Sequence, residues 1–321
     1  MSLKTYLKRI QYYLSPDKNL AKKAEIAKLR HFPDAMWIEP TNFCNYKCSF
    51  CPHSEGLKRE KGFMDLSLYK KIIDDIAPFM RNKKIALHFI GESLLHKQLH
   101  EMVKIASDKG IKVLFFTNAS LLTLKIFKRL SENGLHRLTI SLDGTNKEEY
   151  ENRQVGGQWE NVIKNIREVI RYKNSSDCET IITINHLVYD EKEFESSIKK
   201  LRKIIGVNDV KIQGHILHTW GGNIKLNKER PSHKKTEKGC PFIFSAMVIT
   251  WDGKVLPCTQ DPHGTLVMGD ATKDGVLEIW NSEKFVELRR IHLKRDKSLL
   301  PDTCKNCEYF YGYFESLQMD S

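Results

Sequence analysis

The sequence predicts an α/β protein: a partial (β/α)6 barrel followed by a small C-terminal domain built from a β-hairpin and a helix. Three observations predict it. Strand-like segments alternate with helix-like ones from about residue 35 to about residue 213, the pattern of parallel βαβ units. Those strand segments are rich in Val, Ile, Leu and Phe, as strands covered on both faces are. The alternation fails after about residue 214 and gives way to a short strand, the turn Trp251-Asp252-Gly253-Lys254 and another short strand, which reads as a hairpin.

Each element has its own warrant. Leu3, Leu7, Ile10 and Leu14 fall at helical spacing, and a second, basic helix is expected at about 18–30. Pro33 and Pro40 bracket a short apolar strand at 35–39. A helix over 66–76 starts at Asp65, a residue type that caps helices. Strands follow at 84–90, 111–117, 137–142, 180–188 and 209–213. Between them lie helices at 97–109, stopped by Gly110, at 123–133, stopped by Gly134, and at 159–172 and 191–205. A last helix is expected at about 276–293. The expected organisation is therefore a basic helical extension over 1–34, the partial barrel over 35–217, a polar linker over 218–238 and the C-terminal domain over 239–321. In such a barrel the site lies at the C-terminal ends of the strands.

Composition narrows the class. Hydrophobic residues make up 40% and charged residues 29% of the 321 residues, an ordinary soluble balance. No apolar run approaches the roughly 18 residues of a membrane span, and no signal-peptide h-region is visible. A cytoplasmic protein is expected. The net charge of +12 is uneven. Residues 1–33 hold eight basic residues against Asp17 and Glu25. That stretch reads either as a solvated helical surface or as a docking face for an electron donor, an anionic substrate or a lipid surface. Eight cysteines in a chain of this size and kind point to metal or catalytic use rather than to disulfides.

The first cysteines lie in Thr41-Asn42-Phe43-Cys44-Asn45-Tyr46-Lys47-Cys48-Ser49-Phe50-Cys51, directly after the first strand. A [4Fe–4S] cube offers four irons with normally one thiolate each. Cys44, Cys48 and Cys51 would leave one iron open, the requirement of a catalytic cluster. The competing reading is a zinc knuckle completed by His53. The spacing Cys-x3-Cys-x-aromatic-Cys in this place resembles the signature of the radical S-adenosylmethionine (SAM) superfamily, with Phe50 in the aromatic slot. The resemblance implies that SAM chelates the open iron and yields a 5′-deoxyadenosyl radical. It also implies SAM contacts at successive strand ends. Gly91 would permit close backbone approach, and Glu92 would accept from the SAM ammonium. Thr117 and Asn118 match the family's third strand end, and Ser141 and Arg153 would hold the SAM carboxylate.

The remaining motif is Cys240, then Cys258 in Gly253-Lys254-Val255-Leu256-Pro257-Cys258, then Cys304-Lys305-Asn306-Cys307. It resembles the SPASM domain in its truncated Twitch form, which implies an auxiliary [4Fe–4S] cluster with all four irons ligated. The same four thiolates could alternatively hold a structural zinc. Cys178 reads as an ordinary thiol.

This architecture resembles Twitch enzymes that oxidise a ring alcohol in aminoglycoside biosynthesis, and the protein-oxidising sulfatase-maturating enzymes, which carry a full SPASM domain. Only about 34 residues precede the first strand, too few for a peptide-recognition domain. The expected function is therefore dehydrogenation of a hydroxylated small molecule such as a sugar, aminosugar or cyclitol. A flavodoxin- or ferredoxin-like donor would supply electrons. Peptide modification, or a non-oxidative rearrangement or epimerisation, is the alternative. A basic, zinc-dependent nucleic-acid binder is the more distant one, without a recognition helix or stacking motif to support it. The general base is sought among His186, His215 and His218. His88, Asn185 and Gln213 also lie near strand ends.

Overall fold

The computed structural model describes residues 32–206, 210–225, 240–311 and 316–317. The helices expected at 3–14 and 18–30 lie outside the described residues, as does most of the expected linker.

Six parallel strands form the heart of the fold: β1 (Ala35–Ile38), β2 (Lys84–Ala86), β3 (Lys112–Thr117), β4 (Leu135–Ser141), β5 (Ile181–Val188) and β6 (Lys211–Ile216). They lie side by side in sequence order, parallel throughout. The sheet is open, so the protein is a partial barrel. Connecting helices are α1 (Pro52–Glu55), α2 (Leu66–Met80), α3 (Leu99–Asp108), α4 (Leu124–Glu132), α5 (Lys147–Arg153), α6 (Trp159–Asn174) and α7 (Glu191–Ile205). Asp65 caps α2 as expected, its Oδ1 accepting from the Ser67 N–H at 2.7 Å. α2 runs four residues further than the sequence suggested, through Pro78. α5 was not foreseen; it is short and polar, with little periodic signal to read.

Strand alternation splits the sheet into two faces. Leu138, Ile140, Ile182 and Ile184 are buried with the helix residues Val162, Ile166 and Val169 in the main core. The other face is the concave one and carries Phe116, Thr139, Ser141, Thr183, Asn185, Gln213 and His215. The register sets Phe116, Thr139 and Thr183 side by side, with Ser141 and Asn185 two residues further along their strands.

The C-terminal part extends this sheet rather than starting a new one. β7 (Ala246–Ile249) pairs in parallel with β1. β8 (Lys254–Leu256) and β9 (Gly269–Asp270) follow antiparallel, so the expected hairpin is β7–β8. The single helix expected at 276–293 is two, α8 (Val276–Trp280) and α9 (Glu283–Lys294). The break at Asn281-Ser282 lets Arg289 reach back. Its Nη2 donates to Trp280 O at 2.8 Å, and its guanidinium lies 4.1 Å from the Trp280 ring centroid. α10 (Asp302–Lys305) carries Cys304, and β10 (Ser316–Leu317) closes the far edge against β6.

One buried ion pair fastens the two parts. Glu39, fully buried after β1, receives the Arg59 guanidinium in a two-pronged contact, with both N···O distances 2.5 Å. Arg59 Nε donates to Pro262 O at 2.9 Å, and Glu39 accepts from the Trp251 N–H at 3.3 Å. Removing one partner of a buried pair strands the other charge. Arg59→Ala is expected to cost about 3–5 kcal/mol, read as a shift in the midpoint of chemical denaturation. A loss under 1 kcal/mol, the range of an exposed pair, would refute that reading.

Candidate functional site

Cys44, Cys48 and Cys51 sit on the loop between β1 and α1, at the C-terminal end of the sheet. Backbone bonds zip this loop to the end of α5: Lys47 N–H donates to Val155 O (2.8 Å) and Ser49 N–H to Arg153 O (2.9 Å). Buried Tyr46 adds a hydroxyl contact with Tyr150 at 3.1 Å. Burial pushes the Cys44 thiol up to about 12 and the Cys51 thiol to about 11, and lifts Cys48 well above its ordinary value. Cys51 and Glu92 press further on Cys44. Three clustered thiolates in this setting need a strongly positive partner, which iron supplies.

Gly91 and Glu92 brace the loop from behind. A Cβ at Gly91 would lie 2.1 Å from Thr41 O and 2.7 Å from Phe43 O. The close approach that needs glycine is thus made by the cysteine loop's own backbone. Glu92 N–H donates to Phe43 O at 2.8 Å. Its carboxylate accepts from Thr117 Oγ1 (2.8 Å), the Asn118 N–H (2.9 Å) and the Leu94 N–H (3.0 Å). A carboxylate has about four acceptor positions, so the described residues fill three of them. Asn118 in turn donates to Asn45 Oδ1 at 3.0 Å, and Asn45 to Ser120 Oγ at 2.8 Å. This network ties the cysteine loop to the end of β3. Sequence reasoning missed Asn45 and Ser120. Gly91→Ala is expected to cost roughly 3 kcal/mol by overpacking and to impair iron incorporation. Near-wild-type stability and iron content would show that the loop can move aside.

Arg153 closes α5. Its Nη2 donates to Leu187 O at 2.7 Å, and Nη1 lies 3.5 Å from Glu193 and 3.7 Å from Glu149. Its guanidinium lies 5.7 Å from the Phe50 ring centroid. Phe50 and Arg153 are therefore neighbours, while Ser141 ends β4 and its backbone O accepts from Gln154 Nε2 at 3.4 Å.

The candidate bases separate. His215 is on the concave face, its Nε2 3.3 Å from Gln213 Nε2; Gln213 also reaches Asn185 Oδ1 at 3.4 Å. His88, half-buried, packs against Phe116 at 4.6 Å between ring centroids, and its Nδ1 is buried and unpartnered among the described residues. Burial pushes His88 down to about 3 and lowers His215. His218 lies in the loop after β6, its ring tilted against Trp220 with 4.8 Å between centroids. His186 is a correction. It shares parity with Ile182 and Ile184, is fully buried, and its Nδ1–H donates to Leu142 O at 2.7 Å. It faces the helices and not the concave side.

Cys240, Cys258, Cys304 and Cys307 line one cavity with Pro257, Ile243 and Leu266. Burial raises the Cys240, Cys258 and Cys304 thiols, and the neighbouring cysteines raise them further. Among the described residues, no group of three or more His, Cys, Asp or Glu is set to hold a single ion. A cube takes one thiolate per corner iron and suits four thiols that share a cavity without meeting at a point. Gln260 and His292, also unforeseen, line the same cavity.

The loop after β6 joins both cysteine sites. Trp220, at φ 52°, donates its indole N–H to Phe50 O at 3.2 Å. Next to it, the Thr219 N–H donates to Glu308 Oε1 at 2.7 Å. A Cβ at Gly221 would lie 3.0 Å from Gln260 O and 3.4 Å from Thr303 O.

Comparison with known proteins fits this geometry. Residues 38–201 match the model of the radical SAM superfamily, and residues 240–308 that of the SPASM iron–sulfur cluster-binding domain. The chain belongs to the radical SAM superfamily. SAM and iron–sulfur clusters are thus its cofactors, and its thiol sites fit them. The chain is 25% identical to the SAM-dependent 2-deoxy-scyllo-inosamine dehydrogenase of Niallia circulans over 272 residues, covering 84% of this chain and 90% of that one. Among solved structures it resembles BtrN in complex with AdoMet and 2-DOIA, with TM-score 0.63 and 21% identity over 87% of this chain and 94% of that one. It also resembles Streptococcus suis SuiB bound to the precursor peptide SuiA, with TM-score 0.66 and 15% identity over 83% and 68%. These two likenesses concern the fold. No helix among the described residues is long and apolar enough to cross a membrane.

Proposed function

We propose that this radical SAM enzyme dehydrogenates a hydroxyl-bearing small molecule such as a sugar, aminosugar or cyclitol. The observation that carries the reading is the joining of two thiol sites across one short loop, beside a concave face lined with hydroxyl and amide groups. When bound, SAM and the clusters supply hydrogen-atom abstraction from an unactivated C–H bond and an acceptor for the remaining electron.

The chain's own residues supply position and proton handling. Cys44, Cys48 and Cys51 hold the SAM-binding cluster, and Cys240, Cys258, Cys304 and Cys307 the auxiliary one. Ser141 and Arg153 take the SAM carboxylate, Glu92 offers its remaining acceptor position to the ammonium, and Phe50 walls the pocket. Thr117 and Asn118 keep Glu92 oriented. Thr183, Asn185 and Gln213 hydrogen-bond substrate hydroxyls. Burial keeps His215 neutral, so a ring nitrogen is available to take the hydroxyl proton as the alcohol becomes a carbonyl. The reading includes a cytoplasmic location and a flavodoxin- or ferredoxin-like donor.

The test is anaerobic turnover with SAM and dithionite against a panel of cyclitols, aminosugars and sugars, with unstructured peptides alongside. Ketone formed in step with 5′-deoxyadenosine supports the reading. Turnover of peptides alone, or an isomer formed without net oxidation, overturns it.

A further inference from the structure

The opposite end of the barrel carries charge that the chemistry above does not use. Lys84 opens β2, Lys112 opens β3, and Arg137 lies near the start of β4. Alternation places Lys84 with His88, Lys112 with Phe116 and Arg137 with Thr139, so all three belong to the concave face. Lys84 and Lys112 are direct partners in the register, and like charges opposed on neighbouring strands are destabilising. Arg137 and Lys112 press on Lys84, and all three press on His136, with no carboxylate among the described residues countering them in either case. Lys112 and His136 line an open depression with Glu132, Asp177 and Glu179, yet none of these acids pairs with the three cations. The Arg137 Nε is buried and has no acceptor among the described residues. Arginine cannot shed its charge to relieve this, and a buried orphan donor calls for a missing partner.

We propose that this end of the barrel binds a compact phosphate-bearing anion. Arg137 offers a planar fork suited to two phosphate oxygens, and Lys84 and Lys112 add point charges that a multiply charged group would neutralise. The site is separate from the SAM pocket: Arg137 and Ser141 are four residues apart on one strand, about 13 Å at the usual rise. It therefore stands or falls independently of the substrate reading.

The experiment uses reconstituted, cluster-loaded protein titrated with inorganic pyrophosphate, ionic strength held constant with chloride, followed by calorimetry and thermal unfolding. The expected result is saturable binding that raises Tm beyond chloride alone. It should weaken at least about tenfold in a Lys84→Gln/Lys112→Gln double variant, whose own Tm in chloride stays at or above that of the parent because the repulsion is gone. Arg137→Gln should also lose the response; if it does not fold, the lysine pair decides alone. An equal response in parent and double variant, or no response beyond chloride, overturns the proposal. Flotation with phosphatidylglycerol against phosphatidylcholine vesicles assigns the source. Capture lost in the double variant places the phosphate on a lipid headgroup, and a solution response without capture places it on a soluble ligand.

Discussion

Cys48→Ala is expected to abolish 5′-deoxyadenosine formation and to leave about four irons per chain where the parent holds about eight. The fold should survive. The loop around Cys48 is held by backbone bonds from Lys47 and Ser49 to the α5 end and by the Tyr46–Tyr150 contact, none of which uses the thiol. The Glu92 network behind it is likewise untouched. The iron lost is that of the SAM site alone, because the four auxiliary thiols line a separate cavity. Iron and sulfide analysis with an assay for 5′-deoxyadenosine checks this. A variant that keeps eight irons or still cleaves SAM would show that Cys48 is not a ligand.

Much of this site was legible in the sequence because its chemistry is written in local spacing. Cys44, Cys48 and Cys51 lie within eight positions on one loop, and the ends of β3 at Thr117-Asn118 and of β4 at Ser141 follow from alternation, whereas β2 ends at Ala86, six residues before Glu92. What escaped depends on contacts between distant segments. The parallel pairing of β7 with β1 joins Ala35 to Ala246, and no local pattern announces such a partner. α5, which carries Arg153, has only Tyr150 as a buried residue and so no apolar stripe. Asn45 looks like filler between cysteines until Asn118 and Ser120 arrive beside it. His186 differs from these, because its orientation could have been counted out. In a strand where Ile182 and Ile184 face the core, parity alone sends His186 the same way.

The second large effect concerns the auxiliary site. A Cys304→Ala/Cys307→Ala double variant is expected to keep SAM cleavage while its oxidised product falls to background. In the proposed dehydrogenation the auxiliary cluster accepts the second electron, so without it a substrate radical would have no nearby route to the two-electron product. The measurement is the ratio of ketone to 5′-deoxyadenosine in single-turnover assays, near one in the parent and near zero in the variant. An unchanged ratio would mean that the electron leaves by another path and would remove the oxidative role of the second site. Loss of both products is a different result, and Trp220 gives the means to interpret it. Its indole N–H holds Phe50 O, while the neighbouring Thr219 is held by Glu308, the residue after Cys307. Collapse of the auxiliary site could therefore reach the SAM pocket mechanically. Trp220→Phe removes that hydrogen bond, about 1 kcal/mol, together with part of the ring's packing against His218, and leaves all seven cysteines of the two sites in place. If it too weakens SAM binding, the auxiliary domain shapes the SAM pocket through this loop. If it does not, loss of both products in the cysteine variant reflects wider unfolding.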